Sequence, residues 1–240
     1  MRLMINMIAA AGLIAAAGCG NAQSTTLIPS LERLAKSGNA EAIYHLGMAY
    51  QTGSGVTEDH AKALEDFRKA AALGDPLGSY KVGCYYSGQG AGLVASDAAS
   101  ALKYKLVAAK AGYALAQQDV GALYAQNGDI TAGLAWLEKS AAQGWSGGLM
   151  TLASVYNGAE GVKPDAGKTA AYFRLFLARS DPSDEQTAWL KNFEEHLSPQ
   201  DRVRADEIVR SYRPVPTELT LKALSGQRAA QALVGSIARH

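Results

Sequence analysis

Gly161-Val-Lys-Pro-Asp-Ala-Gly167-Lys168-Thr169 holds the ingredients of a phosphate-cradling loop: two glycines, a lysine and a hydroxyl. Such a loop needs four residues between its glycines and a strand before it. Here five residues intervene and no strand pattern precedes them, so the segment reads as an ordinary loop entering a helix. Ser100 and Lys103 have the Ser-x-x-Lys spacing that could pair a hydroxyl nucleophile with an amine base, but no companion Lys-Thr-Gly or Ser-Asp-Asn element accompanies them. His45, His60, His196 and His240 have no Cys, His or carboxylate at a spacing that would hold a metal. Glu194-Glu195-His196 reads as a solvated helix face, and Gly53-Ser54-Gly55 and Gly88–Gly92 read as loops. No acid–base or nucleophile set survives, and no cofactor or metal is implied.

The two cysteines remain. Cys84 has no internal partner unless Cys19 is free, and reads as a small buried hydrophobe. Cys19 follows an apolar run from Leu3 to Ala17, broken by Asn6 and Gly12 and preceded only by Arg2. A run of ~15 residues is short for a membrane span and suits an export signal. Its end, Ala16-Ala17-Gly18-Cys19, resembles the lipobox of bacterial lipoproteins, although Ala16 stands where that pattern most often has Leu. The resemblance implies a signal peptide over residues 1–18, acylation of Cys19, a linker over 19–25 and a place on the periplasmic face of a membrane. Cleavage near Ala22 would instead give a soluble periplasmic protein. Loss of residues 1–18 leaves 22 basic and 22 acidic residues. That balance argues against nucleic acid as a partner, and against a membrane contact other than the lipid anchor.

The elements behind these residues repeat. Tyr50, Tyr86, Tyr124 and Tyr156 each follow a branched aliphatic by four residues: Leu46, Val82, Val120 and Leu152. The next residue is small each time (Gly47, Gly83, Gly121, Ala153), and the copies close on Gly74, Gly112, Gly144 and Ser180, spaced 38, 32 and 36 residues apart. Periods of this size mean a repeat array. In the first copy Ala42, Leu46, Ala49 and Tyr50, then Ala63, Leu64, Phe67, Ala70 and Ala71, fall at helical offsets on either side of a glycine-rich turn. Each copy is therefore a pair of antiparallel helices. A glycine inside a helix costs ~1 kcal/mol against alanine, so the small residue predicts a close approach of the partner helix. The closing glycines suit the left-handed position that ends a helix, and the tyrosine is expected to bridge neighbouring repeats.

This pattern resembles the Sel-one-like repeat family, relatives of the tetratricopeptide repeats. The first copy carries it as AIYHLGMAY, GSGVTED and KALEDFRKAAALG, and the fourth as LMTLASVY, EGVKPD and KTAAYFRLF. The resemblance implies an all-α, right-handed solenoid of antiparallel helix pairs, with a half repeat plus four repeats over residues 26–182. A charged helix pair over 183–213 serves as the C-terminal cap, opened by Ser183 and by Ser198-Pro199. Residues 214–240 are weakly patterned; one or two short helices are expected after Thr217, with the stretch partly disordered. Some cysteine-rich members are linked to β-lactam binding or hydrolysis, but they carry paired cysteines in each copy, a feature this chain lacks.

By analogy with tetratricopeptide arrays the first helix of each pair lines a concave groove. Its inward positions are Tyr44, Met48 and Gln51; Tyr80, Cys84 and Ser87; Gln118 and Ala122; Met150, Ser154 and Asn157. This uncharged set suits an extended peptide or a helix; the alternative is that its Tyr and Met positions pack between repeats. The expectation is a non-catalytic binding module of the bacterial cell envelope with a protein or peptide partner. The alternatives are a self-assembling envelope scaffold or, further off, a cell-wall or β-lactam hydrolase.

Overall fold

The computed structural model describes residues 21–90 and 92–237. The call for a signal peptide over 1–18 and for a lipid on Cys19 lies outside the described residues. Among them are thirteen helices and no strand. Helix α1 (Asn21–Lys36) begins inside the span read as linker. Four pairs follow: α2 (Ala40–Thr52) with α3 (His60–Ala72), α4 (Pro76–Tyr86) with α5 (Ala98–Lys110), α6 (Ala114–Gln126) with α7 (Ile130–Ala142), and α8 (Ser146–Tyr156) with α9 (Ala166–Leu177). Helices α10 (Asp184–Glu195) and α11 (Pro199–Ser211) cover the last pair, and α12 (Glu218–Ser225) and α13 (Gln227–Ile237) complete the chain.

One device sets the register of every pair. The second helix is capped by an aspartate each time: Asp59, Asp97, Asp129 and Asp165 accept a backbone N–H from their own first turn. The N–H of that same aspartate donates to the carbonyl of the repeat tyrosine. The bonds are Asp59 to Tyr50, Asp97 to Tyr86 and Asp165 to Tyr156 at 2.9 Å, and Asp129 to Tyr124 at 3.0 Å. The loop between can lengthen or shorten because its two ends are pinned, and loop closure costs little more for a few added residues.

The helices of a pair approach where the small residue sits. A Cβ on Gly47 would lie 2.7 Å from the Phe67 ring, one on Gly83 2.7 Å from Lys105 Cγ, and one on Gly121 2.9 Å from the Gly133 carbonyl. Gly112 and Gly144 end their helices at φ +97° and +82°. Between repeats, Phe67 meets Tyr85 with ring centroids 6.2 Å apart, and Tyr80 meets Tyr113 edge-on at 5.0 Å.

Two expectations are corrected. The ring pairings of three of the four repeat tyrosines lie within their own copies rather than across to the next. Tyr50 lies under Lys62 of its own repeat, and Tyr86 and Tyr156 stack on Tyr104 and Tyr172 of theirs. The reason is local: the last turn of the first helix lies beside the first turns of the second. The second concerns the C-terminal stretch: the one or two short helices expected after Thr217 are present, and only the partial disorder is corrected, because they are packed. Residues 218–237 form α12 and α13, and Leu219, Ala223, Leu233 and Val234 pack against the core of the first two repeats, with Ala230 buried in it.

Candidate protein-interaction surface

The first helices of successive repeats touch one another through a ladder of polar contacts. Lys81 Nζ on α4 donates to Gln51 Oε1 on α2 at 2.9 Å. Tyr80 on α4 donates its hydroxyl to Asp119 on α6 at 3.1 Å, and Trp145, at the head of α8, donates its indole N–H to Gln118 at 2.8 Å. Lys105 reaches Asp119 from α5 at 2.8 Å with its side chain almost wholly buried. A buried ammonium must be paired to remain charged, and Asp119 meets that need.

This ladder decides which groove candidates are available. Tyr44, Tyr80 and Cys84 are 8, 7 and 3% exposed, so their assignment to a partner-binding surface is corrected: they are buried, Tyr44 within its own repeat and Tyr80 and Cys84 against the next. Tyr44 lies against His45 and Phe67, Tyr80 against Tyr113, and Cys84 within the cluster of α4, α5 and α6. Burial raises the Cys84 thiol above its ordinary range and pulls the Lys81 ammonium below its own, which leaves Cys84 a poor nucleophile. Met48, Gln51, Gln118 and Ala122 are half-buried, while Ser87, Met150, Ser154 and Asn157 are exposed. The exposed part of the predicted set therefore concentrates on α8 and its C-terminal end, with Ser87 at the end of α4. Lys81 and Asp119 were missed by sequence reasoning. Each sits one residue beyond a candidate, Tyr80 and Gln118, so a wider helical arc would have included them.

The other motifs have structural roles. Lys168 lies over the Tyr156 ring at 4.3 Å, and Asp165 caps α9 and pairs with Arg204 at 2.8 Å, so the phosphate-loop look-alike is a repeat junction. Ser100 donates to Asp97, the cap of its own helix. Among the described residues no group of His, Cys, Asp and Glu could hold a metal, and no helix is long and apolar enough to cross a membrane.

Stacked helix pairs with capped ends define an α-helical repeat array, a class that presents extended surfaces. The Sel1 repeat profile matches residues 40–75, 76–113, 114–145 and 150–180, more than half of the chain, and the protein belongs to that family. Sel1 repeat proteins are in general protein-interaction scaffolds and typically non-catalytic. A Sel1 repeat protein from Oxalobacter formigenes is similar in structure at 21% identity and a TM-score of 0.62, over 79% of this chain and 80% of that one. Lesser likenesses are to c5321, a protective antigen with this fold from uropathogenic Escherichia coli (22% identity, TM-score 0.47, 81% of this chain and 50% of that one), and to an immunity protein from Pseudomonas aeruginosa (21%, 0.37, 65% and 74%). No curated protein matches the chain.

Proposed function

We propose that this protein is a non-catalytic binding protein of the bacterial cell envelope, exported by residues 1–18 and anchored through an acylated Cys19. It captures a protein or peptide on the face formed by its first helices, the concave face of the array. The observation that carries this reading is the open, uncharged face of α8. There Met150, Ser154 and Asn157 are exposed, Met150 with 38% of its surface, and the half-buried Gln118 and Ala122 border it on α6. Methionine adapts to irregular apolar partners, and amides and hydroxyls supply adjustable hydrogen bonds. Met48, Gln51 and Ser87 extend the same face toward the N-terminal repeats.

Affinity capture from envelope extract with the mature chain tests the reading. One saturable partner is expected, and Met150→Lys with Asn157→Lys should abolish its capture while the helical circular-dichroism signal stays unchanged. Capture that survives both substitutions would refute the face. Mass that rises with concentration, with no partner retained, would replace capture by self-assembly. Cys19→Ser should move the protein from the membrane to the soluble fraction, and unchanged membrane retention would refute the anchor.

A further inference from the structure

The C-terminal segment after α11 runs back along the array. Tyr212 donates its hydroxyl to the Ala141 carbonyl, and Val215 donates its N–H to the Ala142 carbonyl at 3.0 Å. Pro214 lies over Gly144 and Thr217 over Gly112, both in turns where one repeat hands over to the next; a Cβ at either glycine would lie 3.0 Å from them. Farther on, Lys222 Nζ reaches Glu41 Oε2 on α2 at 2.9 Å, and Ala230 is buried against the first repeats. The segment thus crosses the N-terminal ends of α8, α6 and α2 in turn.

Recognition at the centre of this path is polar and complete. Thr217 donates its hydroxyl to the Gly112 carbonyl at 2.9 Å and its N–H to Gln143 Oε1 at 3.0 Å. Thr220 donates its hydroxyl to the same Gln143 oxygen at 2.7 Å and accepts the Ala114 N–H at 3.0 Å. The Gln143 amide nitrogen donates to Gly112 O at 2.7 Å and to Gln117 Oε1 at 2.8 Å, and the Gln117 amide donates to Ala109 O at 3.1 Å. Each hydroxyl proton is used once, and the two acceptor demands on Gln143 Oε1 fix which end of that amide is oxygen.

Thr220 does more than fill space. The residue at the N-cap of α6 is Tyr113, which makes no side-chain cap, whereas α2 and α4 are capped by Asn39 and Asp75. Thr220, 106 residues away, supplies the missing oxygen to the first N–H of α6 and is itself 2% exposed. A helix N-terminus needs such an acceptor when it is buried.

We propose that this edge of the array is a segment-binding site selective for a Thr-x-x-Thr hydroxyl pair followed by an amphipathic helix, and that the chain fills it with its own residues 214–237. The partner it fits is a polypeptide segment of that chemistry. A segment supplied in trans, including that of a second copy, competes for the same bonds.

The test uses the full-length chain with a protease site inserted between Arg213 and Pro214. After cleavage the fragment 214–240 should stay with the array through gel filtration. An excess of the synthetic 214–240 peptide should exchange with it, and the same peptide carrying Thr217→Val and Thr220→Val should do so at least tenfold more weakly. Release of the fragment on cleavage from an array of unchanged helicity would overturn the proposal, as would equal exchange by the two peptides. In the uncut chain, Thr220→Val should speed amide exchange across 214–237 at least tenfold while α8 to α11 keep their rates. Uniform acceleration, or none, would overturn the proposal independently of the cleavage.

Discussion

Substituting Gly121 and Gly235 separately with alanine makes the same chemical change in two helices and should give opposite results. In an open helix the change gains ~1 kcal/mol, because glycine pays backbone entropy that alanine does not. Gly235 lies near the end of α13 with nothing within 4 Å of the added Cβ, so its variant should be more stable by about 0.5 kcal/mol. At Gly121 the Cβ would lie 2.8 Å from Leu137 Cγ and 2.9 Å from the Gly133 carbonyl oxygen. Leu137 is fully buried and the carbonyl belongs to a helix backbone, so neither can yield without moving α7. Overpacking of this kind costs about 1–3 kcal/mol. With a backbone carbonyl and a fully buried leucine both in the way, the upper part of that range applies, and after the ~1 kcal/mol propensity gain the net loss is up to about 2 kcal/mol. Urea titration followed by circular dichroism reads both variants. A Gly121→Ala protein as stable as the wild type would refute the argument that helix approach selects the small residue of each repeat.

Three further outcomes follow from the same contacts. Lys105→Met strands the Asp119 carboxylate and should cost about 3 kcal/mol in urea unfolding. Adding Asp119→Leu should recover most of that loss, and a single-variant cost below ~1 kcal/mol would deny the pair its role. The His45 ring, its Nε2 3.7 Å away, and Lys222, hydrogen-bonded at 2.9 Å, hold the Glu41 carboxyl down at about 2 from an ordinary 4.5. A depressed folded value stabilises above the unfolded one. This contribution is therefore full above pH ~5 and is lost as the pH falls toward 2, and Glu41→Gln should flatten that acid limb of the stability profile. If both proteins lose stability equally over this range, Glu41 is not the group responsible. Cys84 should react with a thiol reagent only after denaturant is added; rapid labelling of the native chain would contradict its burial.

The repeat was legible because it is written in local terms. A tyrosine four residues after an aliphatic, a small residue between and a glycine at the close recur in each copy, and each reports a helix face or a helix end. The close approach expected at Gly47, Gly83 and Gly121 is present, since a helix tolerates interior glycine only where something else occupies the space. The groove was legible only in part. Tyr44, Tyr80 and Cys84 share a helix face with Met48, Gln51 and Ser87, and periodicity alone cannot say how far the next repeat leans over that face. Tyr113, at the head of the next pair, covers Tyr80, while Phe67 of the same repeat covers Tyr44. The short helices of the C-terminal segment were expected, but where the segment docks was not legible, for another reason. Its central contacts are hydroxyl–amide bonds, which leave no hydrophobic period to read.

By itself the order of residues determined the helix pairs, their ends and their stacking, because those depend on neighbours within one repeat of ~35 residues. Which face stays open, which charges are buried and where the last helices lie were decided only in the tertiary structure. Those outcomes rest on partners such as Thr220 and Ala114, 106 residues apart. No local pattern encodes such a partnership, because each residue would be equally at home in a solvated turn until the other arrives.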